Sequence, residues 1–205
     1  MGEEAVKYLG LSIDPGKMNG LCIFTWGDDE PFAVEAVFQH GGGAMGLKNL
    51  LEGNVFYYSG ETPRGGPFHR MMFKERRLDA LIFEKFTPRP ISEDSGFHLT
   101  RDSAEPLVCE GALIGLGLDD YGAIQWAEPS QQYFIGPPTQ TLAQKKKAAR
   151  KFLESHGLLV TGGMVKQEDG NDANSATLHA IAWLRRRRHL PTIDALFPGQ
   201  EVGPQ

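Results

Sequence analysis

The chain predicts an α/β fold: a five-stranded mixed sheet, a three-stranded antiparallel meander plus two parallel strands, flanked by helices. Three observations predict it. The first forty residues hold three apolar, alternating stretches whose connections are too short for a crossover, which makes them a meander. From there to the end, helix-like and strand-like segments alternate. With 205 residues, 40% of them hydrophobic, the chain can bury one good core. A single domain over residues 1–190 is expected, followed by a loosely held tail, 191–205, that contains several prolines.

The first strand runs from Tyr8 to Asp14, where Leu9, Leu11 and Ile13 alternate with Gly10, Ser12 and Asp14. Pro15-Gly16 and Asn19-Gly20 are turn dipeptides. A second strand spans Gly20 to Trp26, a polar turn follows from Gly27 to Pro31, and Phe32 to Phe38 is the third strand. Residues 41–67 are Gly-rich and irregular, with a short helical piece at Leu47 to Leu51. Phe68 to Leu78 has helical periodicity, and Ala80 to Phe86 is a strand of bulky apolar residues. A loop from Thr87 to Asp102 leads to a helix over Ser103 to Leu118 with small residues on one face. Ala123 to Ala127 is a short strand. Thr139 to His156 is a helix stopped by Gly157, and Asp172 to Arg188 is the last helix.

The net charge of −5 at first argues against a nucleic-acid partner, but the cations are clustered. Lys145, Lys146, Lys147, Arg150 and Lys151 form one block, Arg185 to Arg188 a second, and Arg64, Arg70, Lys74, Arg76 and Arg77 a looser third. Each alone is an ordinary solvated face; three in one small domain point to a polyanion. Cys22 and Cys109 sit in apolar surroundings without CxxC or Cys/His spacing, which predicts buried reduced thiols rather than a zinc site. No apolar run reaches the length of a membrane span, and the N-terminal segment is not a secretion signal. The expected location is cytoplasmic, with the nucleoid or in a phage-infected cell. Gly41 to Gly46 fits GxGxxG formally but follows the third strand of a meander, so no nucleotide cofactor is expected. His40 to Gly43 resembles an esterase oxyanion loop, but no GxSxG accompanies it.

Asp14 closes an apolar strand, and an acid there needs a cation, a partner or a turn to form. Glu84 lies on a later strand, in Leu81-Ile82-Phe83-Glu84. If the two strands are neighbours, both carboxylates reach one divalent cation. A third acidic group, Glu168-Asp169-Gly170-Asn171-Asp172, opens the last helix, whose Ala173, Ala176, Ala180 and Leu184 form a face that can pack on the sheet. An acid in that place is commonly a helix cap. Together with Asp14 and Glu84, it becomes part of a carboxylate cluster. The six histidines are scattered and read as surface or core residues, although His179 on the last helix could lie near such a cluster.

With these residues in order, the chain resembles the RuvC-type Holliday junction resolvases, within the ribonuclease H-like nucleases. Leu9 to Gly16 is similar to the family's opening LGIDPG, Ile82 to Phe86 to its second acidic strand, and Asp169 to Ala173 to its DxxDA motif. Pro129 and the lysines after Gly136 resemble the Pro…Lys segment leading into a DNA-facing helix. The last motif has two registers, Asp169 with Asp172, or Asp172 with Asn174 or Ser175. Phe86 follows the glutamate by two residues where the family has an aromatic after three.

The resemblance implies a magnesium-dependent, structure-specific endonuclease acting on branched DNA, Holliday junctions or related forks, as a homodimer. Asp14, Glu84, Asp169 and Asp172 would be the catalytic and metal-binding acids. Lys145, Lys146, Lys147, Arg150 and Phe86 would contact DNA. Four carboxylates suit magnesium, with manganese able to substitute, and two ions about 4 Å apart would activate water and stabilise the leaving oxygen. Two other classes stay open. A non-catalytic DNA-binding module would keep the basic runs without needing the acids. An actin- or sugar-kinase-like ATPase shares the opening strand-acid-turn but needs a duplicated domain.

Overall fold

In a computed structural model, residues 6–52, 58–59, 62–63, 78–84, 101–116, 124–127, 140–161 and 172–199 are described. The elements are β1 (Lys7–Asp14), β2 (Met18–Gly27), β3 (Ala33–Gly41), α1 (Gly43–Leu51), a two-residue hairpin of β4 (Tyr58–Ser59) and β5 (Thr62–Pro63), and β6 (Ala80–Glu84). Then follow α2 (Arg101–Gly115), β7 (Ile124–Ala127), α3 (Leu142–Ser155), α4 (Asp172–Arg186) and α5 (Leu190–Leu196). The expected helix over Phe68 to Leu78 and the loops at 87–100 and 128–138 fall outside the described residues.

The main sheet is mixed, in the order β3-β2-β1-β6-β7. β1 runs antiparallel to β2, and β2 to β3, while β6 lies parallel to β1 and to β7. The strand period of two gives each face its own core. Leu9, Leu11, Ile13, Leu21 and Ile23 pack with Leu47, Leu50 and Leu51 of α1 and with Cys109 and Leu113 of α2. Cys22, Phe24 and Ile82 pack on the opposite face with Ala149, Phe152 and Leu153 of α3, and with Ala173, Ala176, Ala180 and Ile181 of α4. Burial pushes the thiols of Cys22 and Cys109 up to about 12, so neither is a thiolate at neutral pH. No helix among the described residues is long and apolar enough to cross a membrane.

Several expectations need correction. Asn19-Gly20 is not a turn: both residues lie inside β2. The buried Asn19 side chain donates to the carbonyls of Gly43 (2.9 Å) and His40 (3.4 Å) and accepts from the Gly16 amide (3.3 Å). It therefore ties the β1–β2 connection to the end of β3 and the start of α1. α1 begins at Gly43 rather than near Leu47, because Gly42 (φ 93°) and Gly43 (φ 57°) turn the chain and Glu105 of α2 accepts from the Ala44 amide at 2.7 Å. α2 starts a little earlier than expected. α3 starts later, at Leu142, after Thr141 and Gln144 form a capping box.

The tail is not loose throughout. α5 and Phe197 cover α3 and α4: Thr192, Ile193 and Phe197 are buried, and the Phe197 ring stacks on Phe152 at 5.2 Å. Pro191 occupies the first turn of α5, where its missing amide loses no bond. Residues 200–205 lie outside the described part.

Candidate metal centre

Parallel pairing of β1 with β6 runs from Gly10–Ala80 to Ile13–Phe83, which sets Asp14 and Glu84 side by side at the strand ends. By strand alternation both follow Ser12 and Ile82 onto the face covered by α4. Gly20, opposite Asp14 across β2, lets α4 start directly above them. A Cβ there would come within 1.9 Å of the Asp172 carbonyl oxygen, so only glycine admits this approach. Along α4, Asp172, Ser175 and His179 recur at helical spacing on the side facing the strand ends.

Ligand atoms of Asp14, Glu84 and His179 all lie within 4.8 Å of one another. His179 is fully buried, with Nε2 3.5 Å from Glu84 Oε2, yet neither of its ring nitrogens has a hydrogen-bond partner among the described residues. Asp14 is held well above the ordinary carboxylate range, first by burial, then by the hydrogen bond it shares with Glu84 and by the charges of Glu84 and Asp172. The Ser175 hydroxyl, bonded to Asp14, pulls the other way. Asp172 is pushed up to about 6 by burial and by Glu84, against the opposing charge of Lys146. Crowded acids that resist ionisation, beside a buried imidazole with unused nitrogens, form a donor set that fits a divalent cation.

Of the expected site residues, the structure brings Asp14, Glu84 and Asp172 together. Asp169 and Phe86 lie outside the described residues. Asn174 does not join the cluster: its amide donates to the Val160 carbonyl (3.2 Å) and its oxygen accepts from the Val160 amide (3.1 Å). His179 stands among the carboxylates and adds a nitrogen donor to the expected oxygens. Ser175, one of the alternatives left open for the last motif, is bonded to Asp14. The signal for both was the spacing of three, then four residues from Asp172 along one helix face.

The basic helix α3 is amphipathic. Ala149, Phe152 and Leu153 are buried, and Lys145 and Lys146 continue that stripe towards the helix start, partly buried. Lys147 and Lys151 face solvent. The charge of Lys146 acts on Asp172, which places the start of α3 beside the acidic cluster.

No family model and no curated sequence matches the chain. Among solved structures, T. thermophilus RuvC in complex with Holliday junction substrate is similar, with a TM-score of 0.50 and 13% sequence identity over 88% of this chain and 96% of that one. The likeness is one of fold. The chain shares the RuvC-like fold, and Asp14, Glu84 and His179 form a group that could hold a metal ion where β1, β6 and α4 meet.

Proposed function

We propose that the protein is a magnesium-dependent endonuclease that cleaves branched DNA by phosphodiester hydrolysis. The observation that carries this reading is the convergence of Asp14, Glu84 and His179 within 4.8 Å on a RuvC-like fold. Asp14, Glu84, His179 and Asp172 would hold the metal, with Asp169 expected beside them. When bound, divalent cations supply Lewis acidity that lowers the pKa of water and neutralises charge on the phosphate and leaving oxygen. The protein's part is to hold carboxylates that bind metal more readily than each other. Asp14, whose carboxyl pKa is raised by burial and by Glu84, would have to be ionised to serve as a ligand, so metal binding would compete with its proton. Ser175 orients the Asp14 carboxylate through its hydroxyl. Lys146, with Lys145 next to it, would meet the phosphate, and Lys147 and Arg150 of the same helix would extend the basic face along the backbone. A nitrogen donor from His179 would favour manganese as a substitute for magnesium.

Two ions per site and a twofold homodimer matching a branched substrate complete the proposal. The exposed Leu107, Val108 and Ile114 of α2 are the surface offered for that pairing, which sedimentation would read as a particle of twice the chain mass.

Cleavage of a synthetic four-way junction, with linear duplex as control, tests the reading. Asp14→Asn and Glu84→Gln should each abolish magnesium-dependent cleavage while junction binding survives, and calorimetry should show lost metal binding. Full activity in either variant would sink the assignment. Junction binding without any cleavage by the unaltered protein would leave a non-catalytic DNA-binding module.

A further inference from the structure

A second cleft lies at the other end of the sheet, where β1 begins and β2 and α4 end, with a volume of about 670 Å³. Six residues of strand separate Tyr8 from Asp14, roughly 20 Å, so a molecule in this cleft does not touch the acidic cluster. Its floor is aromatic. Tyr8 stacks on Trp26 at 5.3 Å, and Trp183 meets Trp26 edge-on at 5.3 Å. The Arg187 guanidinium lies 4.4 Å over the Trp183 ring, and the exposed Arg188 lines the same side. Neither arginine has an ion pair to a described residue. Asp28 and Asp79 also line the cleft. One oxygen of Asp28 accepts from the Tyr8 hydroxyl (3.2 Å), one of Asp79 from the Leu9 amide (2.8 Å), and each carboxylate keeps a second oxygen.

Arg188 stands in a conformation that favours glycine. α4 ends with the Arg188 amide bonded to the Arg185 carbonyl and the His189 amide to the Leu184 carbonyl, with Arg188 left-handed at φ 55°. α3 ends in the same pattern, with Gly157 in the equivalent place at φ 67°. The arginine is strained where a glycine would not be.

We infer that this cleft binds a nucleotide, its base on the Tyr8–Trp26–Trp183 floor and its phosphate against Arg187 and Arg188. A bare anion would be repelled by Asp28 and Asp79, and a bare cation by the two arginines. A purely apolar ligand would strip water from four charges. A planar base with N–H donors, carrying a phosphate at its other end, satisfies the rings, both acids and both arginines together. The volume suits a ligand of that size. The same chemistry comes either from a free mononucleotide or from an unpaired nucleotide of a DNA strand. The inference stands apart from the catalytic reading.

Two of the chain's three tryptophans line the cleft, so their fluorescence reports occupancy. The full chain carrying Asp14→Asn, without divalent cation, is titrated with dGMP, deoxyguanosine, inorganic phosphate and a short oligothymidylate. Saturable quenching by dGMP, with deoxyguanosine weaker, supports a free-nucleotide site. Quenching that saturates only with the oligonucleotide supports a strand site. In either case Arg187→Ala should weaken binding about tenfold. Arg188→Gly should weaken it similarly while raising Tm by roughly 2 °C. That combination separates ligand binding from a structural role and does not depend on a variant that misfolds. Absence of saturable quenching, or quenching unchanged in both arginine variants, would overturn the proposal, and neither outcome bears on junction cleavage.

Discussion

At the scale of single residues, the acidic cluster is stable only in the company of a proton or a cation. Asp172 titrates at about 6 instead of 3.8, and Asp14 is displaced in the same direction. Between those values the folded carboxyl holds a proton that the unfolded chain has already released. Raising pH through that window therefore destabilises the metal-free protein, because the folded state must give up protons that it binds more tightly. Thermal melts of the metal-free protein should show Tm falling between about pH 4 and pH 6, most of the change gone in Asp172→Asn with Asp14→Asn. A divalent cation should reverse the trend, its affinity rising with pH as the competing protons leave. A flat Tm across this window would mean that the carboxylates are not pressed together in solution. Asp14, Glu84 and Asp172 were legible in the sequence because a strand end and a helix start are places where an acid demands a reason. His179 stood out less, since one histidine on an apolar helix face is ordinarily a core residue. Only the parallel register of β1 and β6 brings Glu84 to within 3.5 Å of it.

At the scale of elements, the site depends on how closely α4 can approach β2. The added Cβ of Gly20→Ala would meet the Asp172 carbonyl carbon and oxygen at 2.0 and 1.9 Å. These are backbone atoms, so no rotamer change relieves the clash, and the start of α4 must move. A loss of about 1–3 kcal/mol in urea denaturation is expected, with metal affinity falling as Asp172 and Ser175 shift away from Asp14. Unchanged metal binding in Gly20→Ala would show that α4 does not set the site. Element ends account for most differences between sequence and structure. Gly157 marks the end of α3 plainly, whereas Arg188 ends α4 in the same left-handed conformation with no compositional signal. Pro191 reads as a breaker but starts α5. α5 is then fastened by a chain of hydrogen bonds: the Phe32 amide donates to Thr192 Oγ1 (2.8 Å), Thr192 Oγ1 and His189 Nδ1 share a hydrogen bond (2.8 Å), and His189 Nε2 donates to the Gly27 carbonyl (2.7 Å). The first and last of these pairs lie 160 and 162 residues apart in sequence, beyond the reach of any local pattern.

At the scale of the whole molecule, the charge of −5 is the sum of regions with opposite tasks. The acids at the strand ends would be offset by bound cations, leaving the basic face of α3 as a region of opposite sign. Lys145 and Lys146 lie on the side of α3 that continues into Ala149, Phe152 and Leu153, so the buried stripe fixes the direction in which they present charge. Lys147 lies on the solvent side. If about five basic residues from this helix and its neighbours touch phosphates, log affinity for junction DNA should fall with log salt at a slope near −4 to −5. Replacing Lys146 with Ala should reduce that slope by about one, as one released counterion is lost. It should also raise the pKa of Asp172, since the Lys146 charge now opposes the upward shift. The two effects come from one side chain and are read independently, by binding titrations at several salt concentrations and by pH-dependent melts. Lys147→Ala should alter the slope and leave Asp172 untouched. A salt response that is shallow in the unaltered protein would reduce the lysine run to ordinary helix surface, whatever the acids do.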